Sequence, residues 1–153
     1  MGLVYADTAA TNGARLWVST GTTNTSWTVA VGDTGLRKID TLLVNGWAAI
    51  SYWKGMNIRR IGSVVFVQGA LNSAAATSDV ILSANIPGFS AGTGRITVGP
   101  AYSFGLNAFL PLQQKNDATG FLQLPRAGAG EVYPSASWVT PDAWPTTLPG
   151  VPA

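Results

Sequence analysis

The fold of this chain is decided by one stretch, Asn57-Ile-Arg-Arg-Ile-Gly-Ser-Val-Val-Phe-Val-Gln-Gly-Ala-Leu-Asn72. It is rich in β-branched and other apolar side chains and is interrupted by Gly62 and Gly69, which is typical of β-strands joined by turns. The Gly62-Ser63 pair divides the stretch into two strands joined by a tight turn, and a second break is expected after Gly69. This hairpin is therefore the predicted centre of the hydrophobic core.

Two consecutive arginines, Arg59 and Arg60, lie on the first strand of this hairpin. Successive side chains of a strand point to opposite faces, so one arginine is expected to point inward. An inward guanidinium needs a carboxylate or carbonyl partner, because an unpaired charge is costly to bury. The alternative interpretation is a site for an anionic cell-wall polymer, although two basic residues without a wider patch rarely form a binding surface.

Alternation of apolar and polar residues with a period of two recurs along the rest of the chain, where Gly, Asn and Pro interrupt it. Asn45-Gly46 predicts a type I′ turn, and therefore a hairpin that joins 42–44 to Trp47. No useful helix-period stretch appears, and the strand spacing of about 8 to 12 residues favours an all-β fold, a β-sandwich or jelly-roll-like knob. Besides 57–61 and 63–72, strands are predicted at 15–19, 26–31, 36–43, 47–53, 79–84, 95–98, 108–111, 121–124 and 131–138.

The chain divides into three predicted parts. Residues 1–36 are interpreted as an N-terminal arm and docking or interlocking β segment, extended over its first 24 residues and anchored by Val4, Tyr5, Leu16 and Trp17. Residues 37–140 form the β-sandwich knob. Residues 141–153 are proline-rich and predict an extended tail. Trp138 and Trp144, with Pro141 and Pro145, are expected to clamp that tail onto the sheet or onto a neighbour.

Composition favours a structural protein that associates with itself. Only 10% of residues are charged, and the mean hydropathy is +0.22. Because apolar surface on this scale is usually covered, a homo-oligomer is expected, most simply a homotrimer. The net charge of +2 arises from 9 basic and 7 acidic residues, which is no nucleic-acid signature. The longest apolar runs are too short to cross a membrane, and no secretory signal is recognised at the N-terminus.

The residue types present restrict the chemistry. The chain contains no cysteine and no histidine, so disulfides, thiolate metal sites and catalysis by Ser-His-Asp or Cys-His are excluded. No cofactor or metal is expected, and the chain is not predicted to be an enzyme. The remaining enzymatic alternative is a glycosidase that uses two carboxylates. Its candidate residues are Asp33, Asp40, Asp79, Asp117, Asp142 and Glu131, of which most are predicted to lie in turns.

Aromatic residues supply the candidate binding site. Flat aromatic faces stack on sugar rings, and aromatic residues in the loop-rich second half are the best candidates for host-surface or glycan contact: Tyr102, Phe104, Phe109 and Phe121. The aromatic residues within β runs, Trp27, Trp47 and Trp53, are more simply explained as core or subunit-interface residues. The same structural role is predicted for Arg59, Arg60, Trp138 and Trp144.

Four segments resemble minor tail and fibre proteins of bacteriophages that infect actinobacteria. They are the run from Arg15 to Arg37 with its Gly32-Asp-Thr-Gly-Leu-Arg37 motif, the strand from Ile58 to Gly69, the Ile86-Pro-Gly-Phe89 turn, and the closing run from Tyr133 to Gly150. The resemblance is to motif style and order across most of the chain.

What the resemblance implies is a virion protein, made in the host cytoplasm, that binds other virion proteins and host surface polysaccharide. The expected identity is a tail-associated fibre or receptor-binding knob. Because the chain has no shaft, a capsid decoration protein is the alternative, and a glycan-cleaving spike is a third.

Overall fold

The computed structural model describes residues 2–73, 77–81, 83–117 and 120–153, and within them the chain is all-β. The helical elements there are two single 3₁₀ turns, Asp40–Leu42 and Ser51–Trp53, and no helix is long and apolar enough to cross a membrane. The strands are β1 Val4–Ala6, β2 Ala14–Ser19, β3 Trp27–Gly32, β4 Arg37–Lys38, β5 Ala48–Ala49, β6 Met56–Ile61, β7 Val64–Gly69, β8 Leu71–Ser73, β9 Thr77–Ile81, β10 Gly94–Ser103, β11 Ala108–Asp117, β12 Gly120–Ala127, β13 Gly130–Val139 and β14 Val151–Pro152.

The strands form two antiparallel sheets. The smaller is the meander β1-β2-β3, and the larger follows the order β14-β4-β6-β7-β13-β10-β11-β12-β9, with β8 pairing both β13 and β5. Strands β12 and β13 are separated by two others in this sheet, yet Phe121 on β12 and Trp138 on β13 have ring centroids 5.9 Å apart. The large sheet therefore curls over, so that its inner faces pack on each other as the layers of a sandwich do.

The hairpin β6–β7 forms as the sequence predicted. Ile61 pairs with Val64 across Gly62-Ser63, and Gly62 has φ 54°. A positive φ at the first central position is the type II′ pattern, whose twist suits a two-residue hairpin. Ile58, Val65 and Val67 are buried from this hairpin, so the prediction that it centres the core is confirmed.

The N-terminal residues form the β1-β2-β3 sheet, and the extended 24-residue arm expected from the sequence is not the observed conformation. Val4 pairs with Val18, and Tyr5 pairs with Trp17. The chain folds back twice, through residues 7–13 between β1 and β2 and through residues 20–26 between β2 and β3. The main hydrophobic core of the described residues begins at Ile39 and contains no residue of this sheet.

The predictions of two strands in the first half of the chain, 36–43 and 47–53, are mostly wrong. Of 36–43 only β4 is extended, because Asp40 leaves the strand to accept a hydrogen bond from the Met56 backbone N–H at 2.8 Å. Of 47–53 only β5 is extended, and the following 3₁₀ turn ends at Lys54 with φ 64°. The Asn45-Gly46 turn has the predicted positive φ at both residues. The predicted hairpin is wrong, since Leu43 pairs with Ser83, and β5 pairs with β8.

The strands of the second half are longer than predicted. β10, β11 and β12 continue through glycines and prolines that the sequence pattern treated as breaks. Pro100 lies opposite Pro111, so the two missing N–H donors fall at one position of the ladder. The predicted strand 79–84 is found as β9, and part of its predicted end lies outside the described residues.

Arg60 points inward and fastens three loops to the sandwich. Its Nε donates to the Gly62 carbonyl at 2.8 Å, one Nη donates to the carbonyls of Gly88 and Ala143, and the other donates to the carbonyl of Asp142 at 2.9 Å. The side chain is only 5% exposed. The expectation that an inward arginine finds carbonyl partners is confirmed.

The C-terminal segment is held by Trp144 and Pro145. The guanidinium of Arg60 lies 4.9 Å from the Trp144 ring centroid. The Trp144 indole N–H donates to the Asn12 carbonyl, and the Asn12 side chain donates to the Pro145 carbonyl, both at 3.0 Å. A Cβ on Gly32 would approach Trp144 to 2.6 Å, so the ring packs directly on the N-terminal sheet. The tail joins the knob to that sheet, and β14 ends it as a two-residue edge strand.

We predict that Arg60→Met lowers the free energy of unfolding by about 3 kcal/mol, because four part-buried backbone carbonyls lose a charged donor at once. Arg59→Met is the matched control on the neighbouring position, where the partner is an exposed carboxylate and the expected loss is below about 1 kcal/mol. Urea denaturation followed by tryptophan fluorescence measures both values. Equal losses in the two variants would contradict the role given to Arg60.

Candidate functional site

The candidate site lies on the outer face of the large sheet, and strand β13 sets its layout. Val132, Pro134 and Trp138 of this strand point into the core and are buried. The alternate residues therefore point outward, and they are Glu131, Tyr133, Ser135 and Ser137. Neighbouring strands place Tyr102 opposite Tyr133 and Gln68 opposite Ser135, so aromatic and polar residues occupy successive positions of one face.

Six rings form a continuous cluster on this face, which we call the aromatic face: Tyr52, Trp53, Tyr133, Phe104, Tyr102 and Phe109. In that order, successive ring centroids lie 5.9, 6.2, 5.7, 5.2 and 5.1 Å apart. Most pairs are edge-to-face, a favourable arrangement for aromatic rings. Trp53, Phe104 and Phe109 are 57%, 60% and 74% exposed, so the cluster is ordered by its own contacts while presenting its rings to solvent.

Local backbone geometry positions the two ends of the aromatic face. At one end the chain turns through residues 104–107, where the Asn107 N–H donates to the Phe104 carbonyl at 3.0 Å. Asn107 has φ 47°, and its side chain accepts a hydrogen bond from the Tyr102 hydroxyl at 2.6 Å. At the other end, the 3₁₀ turn Ser51–Trp53 raises Tyr52 and Trp53 beside β13.

One carboxylate, Glu131, connects two rings of the aromatic face, Tyr52 and Tyr133. Its two oxygens accept hydrogen bonds from the hydroxyls of Tyr52, at 2.6 Å, and of Tyr133. These bonds, the Tyr133 bond first, hold the pKa of Glu131 below its ordinary value. The same carboxylate raises the pKa of Tyr133 to about 12 and raises that of Tyr52. At neutral pH the site therefore holds one fixed negative charge and two neutral phenols.

A furrow continues from the aromatic face across β7 and β13. Its first part, of about 890 Å³, is lined by Trp53 and Tyr133 together with Lys38, Lys54 and Gly69. Its second part, of about 610 Å³, lies between Phe66, Arg59 and Ser137. Both parts share four lining residues, Leu36, Asn57, Gln68 and Ser135, so they form one continuous surface depression.

The structure brings together three of the four predicted surface aromatics and separates the fourth. Tyr102, Phe104 and Phe109 all belong to the aromatic face. The predicted surface contact of Phe121 is wrong, because this residue is fully buried and packs against Trp138 in the core. Residues 121–124 of β12 are buried on both faces of the strand, so no side of that strand is available to a ligand.

The tryptophans predicted for core or interface occupy different environments. Trp47 and Trp138 are buried in the core cluster, and the Trp138 indole donates to the Phe89 carbonyl at 2.8 Å. Trp27 and Trp144 are half-buried. Trp53 is exposed and belongs to the aromatic face, so of its two predicted roles the core one is wrong, and the subunit-interface one stays a prediction.

The residues predicted to form the docking arm lie on the N-terminal sheet. Val4 and Tyr5 are exposed, and Leu16 and Trp17 are half-buried. Tyr5, Trp17 and Val29 lie side by side across the three strands. Val4 and Val18 pair on the other face. Both faces of this small sheet therefore carry apolar residues.

The carboxylates considered for catalysis have structural partners wherever their side chains are described. Asp33 accepts Arg59 Nε at 2.9 Å, and this hydrogen bond lowers its pKa. Asp40 pairs with Lys38 at 3.1 Å, and Asp142 accepts the Ser90 N–H at 2.8 Å. The side chains of Asp79 and Asp117 are outside the described part. Among described residues no group of three or more metal-ligating side chains occurs.

Sequence reasoning missed two members of the site, Tyr52 and Tyr133, and considered Glu131 only as a catalytic carboxylate. Tyr133 and Glu131 lie within a strand that was predicted, and the signal was its alternation, Glu131-x-Tyr133-x-Ser135-x-Ser137. That row is too polar to face a core, so its tyrosine belongs to the outer face. Tyr52 carried no comparable signal, because its exposure depends on the unpredicted 3₁₀ turn.

We predict that Tyr133 ionises near pH 12 in the folded protein and that Glu131→Gln moves this pKa back toward 10.0. Because the folded-state pKa is raised, the interaction contributes full stability below pH 10 and loses it between pH 10 and 12. Phenolate absorbance during an alkaline titration measures both variants. A pKa for Tyr133 that does not change in Glu131→Gln would show that another group raises it.

Comparison with known proteins supplies no relative. No family model matches the chain, and no curated protein or solved structure matches it either.

Proposed function

We propose that this chain is a bacteriophage virion structural protein, a surface knob that adheres to the host cell through its aromatic face. The observation that carries the proposal is the set of six contiguous rings on the outer sheet face, three of them more than half exposed. Soluble proteins rarely present apolar patches of this kind without a ligand or partner for them. The tail-fibre resemblance supplies the virion context.

Host surface polysaccharide is the ligand that fits this face best. Exposed rings offer apolar faces for stacking on sugars, and the Glu131 carboxylate and tyrosine hydroxyls offer fixed hydrogen-bonding groups. Binding is favoured over cleavage, because a glycosidase needs two carboxyl groups that flank its substrate. Among the described residues that line the furrow there is no aspartate or glutamate.

We infer self-association from the N-terminal sheet. A three-stranded sheet needs a hydrophobic face packed against another layer for independent stability. Within the described residues this sheet packs mainly on Trp144, and both of its faces carry exposed apolar side chains, including Val4, Tyr5 and Val31. In a homotrimer, neighbouring subunits would cover the exposed faces of this sheet. The surface that attaches the protein to the virion would lie at the same end of the molecule as this sheet.

Adhesion is tested by the triple variant Trp53→Ala, Phe104→Ala, Phe109→Ala. We predict at least a tenfold loss of affinity for intact host cells, since each stacked ring contributes about 1 kcal/mol and 1.4 kcal/mol is tenfold. Depletion of the labelled full-length protein from the supernatant of a cell suspension measures it. The matched control is Tyr5→Ala, which removes an equally exposed ring from the N-terminal sheet and is expected to bind as the wild type does.

Position in the particle is tested by counting copies of the chain against the major capsid protein, using quantitative mass spectrometry of purified particles. A tail knob predicts a small multiple of three copies, because tails carry few appendages and each trimer contributes three chains. Hundreds of copies would instead establish capsid decoration. A chain absent from purified particles would contradict a virion role.

A further inference from the structure

A buried polar atom without a partner lies where the two parts of the furrow meet. Asn57 is 6% exposed and lines both parts. Its side-chain Nδ2 donates to the Lys54 carbonyl at 3.2 Å, which fixes the orientation of the amide. Its Oδ1 accepts no hydrogen bond in the protein. An unsatisfied buried acceptor costs about 1–3 kcal/mol, so its retention at a furrow floor suggests that a ligand supplies the donor.

The surroundings of Asn57 allow a ligand to reach it. Asn57 lies directly opposite Gln68 on β7 and Lys38 on β4. Both neighbours have long, flexible side chains, and Gln68 is exposed. Both can change rotamer without a change in the backbone, and binding through Oδ1 requires such a movement, because that atom is buried in the free protein.

The shape of the furrow indicates a chain and not a single sugar. From Tyr133 to Ser137 it follows β13 for about 13 Å, because a strand rises about 3.3 Å per residue. Polar side chains of the floor are spread along this length, with Ser135 and Gln68 at one position and Ser137 at the next. The aromatic face supplies stacking surfaces at one end, and Phe66 supplies an apolar wall at the other.

An extended peptide is a poorer occupant than a saccharide. Peptides that bind sheets add to a free strand edge through backbone hydrogen bonds. The strands beneath this furrow, β6, β7 and β13, are each paired on both sides, and the furrow crosses their face. What the floor offers is side-chain amides and hydroxyls, which match the hydroxyl groups of a sugar chain.

The charges along the furrow restrict the type of saccharide. Lys38 is paired with Asp40, and Arg59 is paired with Asp33, while Lys54 adds a third positive charge. No described lining residue is acidic. The furrow is therefore suited to a neutral or acidic chain, and a chain that carries ammonium groups is disfavoured.

We propose that the furrow binds an internal segment of a linear, neutral or acidic polysaccharide, and that Asn57 Oδ1 selects it by accepting a hydroxyl or amide donor from one sugar unit. This proposal rests on the adhesion function and adds the form of the ligand and a specificity-determining residue. The competing outcome is that the protein binds only a single terminal sugar, through the aromatic face alone.

The test uses polysaccharide released from the envelopes of the cells to which the full-length protein adheres, hydrolysed and separated into oligomers from monosaccharide to octamer. Titration calorimetry is expected to show affinity rising with length and levelling only after several units. Affinity that is already maximal for the monosaccharide overturns the furrow proposal and leaves adhesion intact. Wild-type protein that binds neither cells nor oligomers overturns both proposals.

The role of Asn57 is tested by substitution and, in the wild-type protein, by NMR. Asn57→Leu is expected to weaken binding of the longest oligomer at least tenfold, while Val139→Ser, on the same sheet face outside the furrow, is expected to leave it unchanged. In the wild type, the side-chain amide NMR signal of Asn57 is expected to shift on addition of the oligomer, which requires no substitution. An unmoved amide signal, or equal binding by Asn57→Leu that remains folded, overturns the role of Asn57.

Discussion

The structure depends on the burial of one guanidinium, that of Arg60. Its donors reach the carbonyls of Gly62, Gly88, Asp142 and Ala143, which belong to three segments far apart in sequence. Charge-assisted hydrogen bonds of this kind are about twice as strong as neutral ones. The C-terminal segment is thereby fixed against the sandwich. Trp144 of this segment lies over the guanidinium and donates a hydrogen bond to the Asn12 carbonyl, so the N-terminal residues are held against the same segment.

The same constraint determines which face of the sheet is free to bind. Since Arg60 must point inward, Arg59 and every second residue of β6 point outward, and a slip of one residue would exchange the two faces. Because paired residues of neighbouring strands point to the same face, the orientation of β6 also fixes those of β7 and β13. On β13, Tyr133 and Ser135 therefore point outward and Trp138 points inward. The aromatic face and the furrow thus follow from the register that the buried arginine imposes.

Sequence patterns predicted the parts of the fold where one face of a strand is buried. The β6–β7 hairpin and the inward arginine are of this kind, since Val65 and Val67 are buried while Phe66 and Gln68 between and after them are exposed. Phe121 was misjudged because β12 is buried on both faces, so its alternation carries no information. The strand expected at 47–53 failed because two consecutive residues, Lys54 and Gly55, have positive φ, a tertiary demand that apolar content does not show. Half of the aromatic face could be identified from sequence. Tyr52 and Trp53 depend on that turn, whereas Tyr133 lies on β13, a strand that was predicted.

The unsatisfied polar atoms distinguish the furrow from the core. Four of the five found in the described residues, on Trp47, Ser83, Ser103 and Gln114, belong to residues that line neither part of the furrow. Trp47 belongs to the core cluster, where its large apolar ring compensates for the lost hydrogen bond. Asn57 is the one of these five that lines the furrow, and its Nδ2 already donates to the Lys54 carbonyl. A ligand in the furrow that donates to Oδ1 would therefore complete the hydrogen bonding of this amide.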